Sequence, residues 1–292
     1  MLIANILGGL GNQMFQYSAG RSLSLIINTP LKLDTRDFLG YSLHNGLELN
    51  KLFNCDIELA NNEDLENILG WQSGKYIQRI LRKRHLKKLR CKNYILEPHF
   101  TYWDGFKQLS GDIYLDGYWQ SERYFTEFSD YIRSDFTFKL PLSDRNCELA
   151  ARISKVNAVS LHVRRGDYIS NPKNAFIGTC SPAFYKRAIE YIKRQVSNPT
   201  FFVFSDDIKW AKSNLNLHET TVFTEHNKGS ESYNDMRLMS ICQHHIIANS
   251  SFSWWGAWLN PNPKKIVIAP QKWFASDEFD TSDLIPSSWI RF

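Results

Sequence analysis

None of the five cysteines (55, 91, 147, 180 and 242) belongs to a C-x-x-C pair, and their number is odd. That argues against a disulfide framework and against a zinc site of the usual spacing, and for a reducing compartment. No apolar run approaches the roughly 18 residues that span a bilayer. The start of the chain lacks a basic leader, an apolar core and a small-residue cleavage site, so no secretion signal is read there. The expected location is the cytoplasm. Internal repeats and low-complexity segments are also missing.

What is present describes a soluble globular chain. Its 292 residues suit one large domain or two of ordinary size, and 43% hydrophobic with 22% charged content is ordinary. The aromatic content of 14% is high, which suits carbohydrate contact as well as core packing. The net charge of +5 is uneven. The run 75–92, KYIQRILRKRHLKKLRCK, holds nine Lys and Arg and no acid; removing those nine from the total of 35 leaves 26 against 30 acids, a net charge of −4. Ile77, Ile80, Leu81 and Leu89 roughly share one helical face. The run reads either as a solvated basic helix or as one lying on an anionic membrane. No nucleic-acid fold signature accompanies it, so a nucleic-acid partner is not expected.

The second half alternates regularly. Apolar runs at 157–163, 200–205, 220–223, 245–248 and 265–269 read as strands. Helical patterns fall at 181–196, 207–214, 232–242 and 251–259, the first with Ser181 as N-cap and Pro182 in the first turn. Strands alternating with helices imply a parallel sheet covered on both faces. The first half is less regular, with strands expected at 2–7, 31–34 and 112–119 and helices at 12–27 and 121–133. A boundary is expected near residue 145, giving domains 1–145 and 146–292.

In open parallel sheets, ligands bind beyond the carboxyl ends of the strands. Three polar turns fall there in the second half. HVRRGD (162–167) places two arginines at a strand end, where alternation sends them to opposite sides. An arginine fork binds phosphate in a planar, bidentate way, and Gly166 lets backbone approach a ligand. A structural ion-pair cluster would use the same residues. The RGD tripeptide also occurs in integrin ligands, but here it continues a buried strand. ANSSF (248–252) puts Asn249, Ser250, Ser251 and Phe252 between a strand and a helix start. That is a ready anion site or simply a helix cap. Asp206 and Asp207 can act as acid and base, hold a metal or cap the next helix. Asp235 lies near the same edge. His244 and His245 are adjacent and face apart, so no joint metal site is expected of them.

The first strand runs into LGGLGNQMFQ (7–16). Gly9 and Gly11 begin a dinucleotide fingerprint, Met14 takes the third glycine's place, and Asp34 follows at about the right distance. An NAD-binding Rossmann oxidoreductase is therefore one reading. No G-K-[ST] follows, so a P-loop is excluded. The other reading is a glycine loop that delivers Asn12 and Gln13 to a polar ligand, their amides being suited to sugar hydroxyls.

Taken together, GGLGNQMFQY, GYWQSERYF (117–125), HVRRGDY (162–168), FSDD (204–207) and HHIIANSSFSWWGAWL (244–259) resemble the α-1,2-fucosyltransferases of glycosyltransferase family 11, in the family's order and across nearly the whole chain. The anchorless form is similar to bacterial members that act on lipid-linked or surface glycans of the O-antigen type. The resemblance implies an α/β GT-B fold, two Rossmann-like lobes with parallel sheets facing a cleft. The N-terminal lobe would take the acceptor and the C-terminal lobe the donor, with the last residues able to return to the N-terminal lobe. It implies inverting transfer of fucose from GDP-fucose to the 2-hydroxyl of a β-galactoside, without metal or other cofactor. By that resemblance Arg164 grips the β-phosphate, His162 lies beside the nucleoside and Asp235 reads guanine. Ser250, Ser251 and Phe252 line the pyrophosphate, with Asp206 and Asn249 adjoining. Gly11, Asn12 and Gln13 meet the donor from the other lobe, and Arg164 and Asn12 are the expected catalytic residues. Asp34, Tyr118, Trp119 and Gln120 are acceptor-side candidates, and Asp34 and Asp37 are candidate bases. Transfer of another GDP-sugar, or a non-catalytic part in glycan assembly, are the alternatives.

Overall fold

The computed structural model describes residues 1–40, 45–174, 176–217 and 221–292. The chain divides into two compact units. One comprises Met1–Lys139 with Ser282–Leu284, and the other Leu140–Thr281 with Ile285–Phe292. The division after Lys139 falls a few residues before the expected boundary. A three-residue segment, not the chain end, joins the first unit.

The first unit runs β1 (Leu2–Asn5), α1 (Leu10–Ile27), β2 (Leu31–Asp34), α2 (Leu49–Leu52), β3 (Glu58–Leu59), α3 (Asn62–Leu69), α4 (Lys75–Leu81), β4 (Tyr94–Leu96), β5 (Ile113–Asp116) and α5 (Ser129–Asp135). Its strands pair in the order β3-β2-β1-β5-β4, all in parallel. The order reverses between β1 and β5. Ile3, Leu65, Ile68, Leu69, Leu81 and Tyr114 share a buried cluster in which α3 and α4 pack onto the sheet.

The second unit runs α6 (Asp144–Ile153), β6 (Asn157–Val163), α7 (Gly166–Ser170), α8 (Pro182–Gln195), β7 (Pro199–Ser205), α9 (Ile208–Asn214), β8 (Thr221–Thr224), α10 (Tyr233–Ser240), β9 (His244–Ile246), α11 (Ser251–Leu259), β10 (Val267–Ala269) and β11 (Ile290–Arg291). The strand order is β11-β10-β9-β6-β7-β8, again all parallel. This is the Rossmann order, and it reverses between β6 and β9. Six of the seven residues of β6 are buried, as a strand covered on both faces requires. Ser181 caps α8 by accepting from the Phe184 N–H, and Pro182 follows at its first turn. Trp254, Trp255 and Trp258 of α11 are buried and pack as rings, so they serve the core.

Three expectations change. The helix expected over 121–133 is two short 3-10 turns followed by α5. The strand expected to be last is followed by β11. The strand expected at 220–223 is Thr221–Thr224, with Thr220 outside the described residues.

Candidate functional site

Polar residues gather at the carboxyl ends of both sheets, at the two points where strand order reverses. In the second unit β6 ends at Val163 and delivers Arg164. The guanidinium makes a close ion pair with Asp167 (2.6 Å) and a second with Asp206 (3.2 Å). Its centre sits 5.5 Å from the centroid of the Tyr168 ring. An arginine has five N–H donors, so these pairs fix the fork and leave donors for a further anion.

Asp206 is the keystone of this turn. Its Oδ1 accepts from the Arg165 N–H (2.9 Å) and its Oδ2 from the Gly166 N–H (3.0 Å). A Cβ on Gly166 would stand 2.8 Å from that Oδ2. Asp206 was expected among donor contacts. Through these bonds and its pair with Arg164 it positions the guanidinium. Arg165 turns the other way, as strand alternation requires. It pairs with Asp207 (3.3 Å) and lies 4.2 Å over the Trp210 ring. Asp207 caps α9 through the Trp210 N–H, so helix capping, not acid–base work, accounts for it.

The other side of the reversal is the turn from β9 into α11. Ser250 occupies the N-cap without a side-chain cap bond, and its hydroxyl meets the Tyr168 side chain instead. Tyr168 donates to the Asn249 carbonyl (3.2 Å), linking α7 to this turn. Asn249 itself is buried, and its Nδ2 donates to the carbonyls of Ile177, Gly178 and Trp273. Those bonds replace the donor contact expected of Asn249: its amide holds the turn. His162 is buried with Nδ1 unpaired, and its ring lies 5.9 Å from that of Phe252. Burial first, and then the Arg164 charge, push the imidazole down to about 3, so it is neutral.

Asp235, near the start of α10, accepts a hydrogen bond on Oδ1 from Asn227 (2.8 Å). Asn227 is held in turn by a reciprocal amide pair with Asn146, which also meets His226. The residue keeps some accessible surface, yet the protein around its carboxyl removes enough water to push it up to about 7, against the lowering effect of Asn227.

In the first unit the glycine stretch is not a loop. Gly8, at φ +81°, makes the turn, and α1 begins at Leu10. A Cβ at Gly8 would lie 2.9 Å from the Asn12 Nδ2, so glycine is needed there twice over. Asn12 accepts from the Gln120 Nε2 (2.8 Å), so the ends of β1 and β5 meet through this amide pair. Gln13 is fully buried. It donates to the Gly8 and Gly46 carbonyls and accepts from the Glu48 N–H. Its amide capacity is spent inside the unit, which removes it from the expected ligand contacts.

Asp34 is no open ligand contact either. It is fully buried and bonded to Arg36 and Tyr114, with Lys75 3.4 Å away. Burial works to raise its pKa, but Arg36 and Lys75 outweigh that and hold it down to about 2. Such a group is neither a base nor an open acceptor contact. Asp37 is likewise held low: burial opposes this, and Lys75 and Arg82 prevail. Trp119 is buried at φ +54° and packs on Phe106 and Tyr124. Tyr118, by contrast, is exposed.

Glu97 belongs to no motif and was not expected at the site, yet it organises this loop. It follows β4 and accepts from the N–H groups of Tyr118 (2.7 Å) and Trp119 (2.9 Å). Burial raises its carboxyl to about 7 against those two bonds, with Asp116 adding to the rise. Among the described residues, no group of three or more His, Cys, Asp or Glu is placed to hold a metal ion.

Residues 2–291 match the profile of glycosyl transferase family 11. The chain belongs to this family. An alpha-1,2-colitosyltransferase of Escherichia coli is 39% identical over 100% of this chain and 98% of its own length. A galactoside alpha-(1,2)-fucosyltransferase 1 of Ateles belzebuth is 23% identical, over 86% of this chain and 63% of its own length. Among solved structures, the NodZ alpha-1,6-fucosyltransferase soaked with GDP-fucose superposes with a TM-score of 0.53 at 14% identity, covering 89% of this chain and 92% of that one. That likeness gives the fold: the family 11 chain has two parallel α/β units of the GT-B class. It is a glycosyltransferase, and the oxidoreductase reading falls. Asp34, which that reading needs free for a ribose, is locked to Arg36, Tyr114 and Lys75.

Proposed function

We propose that this enzyme transfers L-fucose from GDP-β-L-fucose, with inversion, to the 2-hydroxyl of a terminal β-galactoside. The acceptor is a glycan or a lipid-linked oligosaccharide of the O-antigen type. The observation that carries the reading is Arg164, held by Asp167 and Asp206 at the strand reversal of the second unit beside the Ser250 turn. As the bond from the sugar's anomeric carbon to phosphate breaks, negative charge grows on GDP. Arg164 and the N-terminus of α11 meet that charge without a metal ion. The bond from galactose O2 to the anomeric carbon forms on the opposite face, and the hydroxyl proton leaves to solvent. The Asp235 carboxylate accepts from guanine N1–H and N2–H, and neutral His162 with Phe252 flanks the nucleoside. Ser250 and Ser251 add hydroxyl donors to the pyrophosphate. Within the first unit, Gly11 and Asn12, the latter paired with Gln120, are the proposed sugar contacts, and Tyr118 and Gln120 the proposed acceptor contacts.

A second donor is favoured by one observation, the 39% identity with an alpha-1,2-colitosyltransferase. Colitose is fucose without its 3-hydroxyl, so the two readings differ by one polar group. Turnover of GDP-fucose and GDP-colitose against a panel of galactosides, with EDTA present and linkages assigned by NMR, separates them. The proposal expects an α-1,2-fucosyl product. An α-1,2-colitosyl product with GDP-fucose inert would replace it, and activity lost in EDTA would overturn the metal-free step.

A further inference from the structure

The basic run does not form the continuous helix its sequence suggests. Helix α4 stops at Leu81, and residues 84–89 form a 3-10 turn that folds back. Gln72 stitches the ends together, donating to the Leu89 carbonyl (2.8 Å) and accepting from the Cys91 N–H (3.0 Å). Arg90 donates to the Leu81 carbonyl. Part of the charge then points inward. Lys75 and Arg82 pair with Asp37, and Arg82 pairs with Asp116. Leu81, taken from sequence as part of an apolar surface stripe, is buried, and Ile77 packs against the same core.

What remains outside is a different set. Lys83, Lys87, Lys88 and Lys92 are exposed, and no ion pair engages them among the described residues. The same stretch of chain exposes Trp71 (67%), Tyr76 (78%), Ile80 (38%) and Leu89 (57%). Trp71 is the one exposed tryptophan of nine. Tyr76 and Ile80 are neighbours on one helix face, four residues apart. The bond from Gln72 to the Leu89 carbonyl brings Trp71 and Leu89 to the same end of the fold-back.

We infer that this fold-back, which exposes Trp71, Tyr76, Ile80 and Leu89 together with the four lysines, docks the protein onto an anionic lipid bilayer. Charge complementarity names the partner, because unpaired lysines gain from a negative surface. The rings decide between polyanions. Tryptophan and tyrosine suit the headgroup level of a membrane, and Ile80 and Leu89 gain from acyl chains but nothing from a phosphate backbone. The inference is independent of which sugar is transferred.

Vesicle co-sedimentation of the full-length protein tests it. Binding to phosphatidylcholine vesicles containing phosphatidylglycerol is expected, with little to phosphatidylcholine alone. A lysine at an anionic surface contributes about fivefold, so Lys83→Gln, Lys87→Gln and Lys88→Gln together weaken binding about 100-fold. Lys186→Gln with Lys193→Gln, on the exposed face of α8, leaves it unchanged. Brominated phosphatidylcholine in the anionic vesicles quenches tryptophan emission, and Trp71→Phe removes that quenching. Equal binding by the triple-lysine variant, absence of wild-type binding, or a triple variant that loses only RNA binding would each overturn the docking face.

Discussion

Arg164 enters the site with its geometry already set by Asp167 and Asp206. Those pairs are part-exposed, so they contribute at most about 1 kcal/mol to stability. Arg164→Lys keeps the charge and loses the planar fork. Its kcat/KM is expected to fall about 100-fold or more, with the melting temperature near that of the parent. Asp235 has a pH signature. Burial lifts its carboxyl to about 7, and in the proposed guanine contact the ionised form accepts both N–H bonds, whereas the protonated form turns one oxygen into a donor and loses one of them. GDP affinity is therefore full above about pH 8 and falls as pH drops through 7, to about a tenth at about pH 6. Asp235→Asn removes both the affinity and the pH step, which calorimetry across that range reads directly. Folding responds with the opposite sign. An acid raised in the folded state favours the fold when protonated, so this group weakens the fold as pH rises from about 4 through 7. At this scale the sequence showed which residue types cluster, not which are spent. Gln13 and Asn12 look alike in a string. The Gly46 carbonyl and Glu48 N–H that consume Gln13 lie more than thirty positions away. Glu97 was unmarked because the Tyr118 and Trp119 N–H groups it accepts from lie more than twenty positions away, and Asn227 because its amide partner Asn146 lies 81 positions away.

The loop after β5 is the element with the most built-in constraint. Trp119 sits at positive φ, and two of the loop's N–H groups end on Glu97. A Cβ on Gly117 would stand 2.4 Å from the Cβ of Glu97. Glu97→Gln offers one neutral oxygen where a carboxylate accepted two bonds, and charged hydrogen bonds are worth about 1.5–3 kcal/mol each. Hydrogen exchange at the Tyr118 and Trp119 amides should accelerate about tenfold or more, with that of β6 unchanged. If the positioning matters to Asn12 through Gln120, KM for the acceptor rises more than kcat falls. Elements were legible where strands were long. The spans of β6 and α11 follow the sequence pattern, since a fully buried strand and a tryptophan-rich helix leave strong signals. Strands β3 and β11, of two residues each, are too short to show any period.

At the scale of the molecule, two parallel sheets each reverse their strand order once, and the polar residues of each unit gather at that reversal. Alternation of strand and helix in the second half already implied this sheet type. The first half hid its sheet between 3-10 turns and short strands. The division after Lys139 had only a weak composition cue. The central claim is that the reversal between β6 and β9 binds a guanosine diphosphate. Calorimetric titration of GDP, UDP and NAD into the full-length protein in EDTA tests it most directly. GDP should bind, Arg164→Ala should abolish that binding, and UDP and NAD should give no heat; NAD binding in the absence of GDP binding would contradict the account.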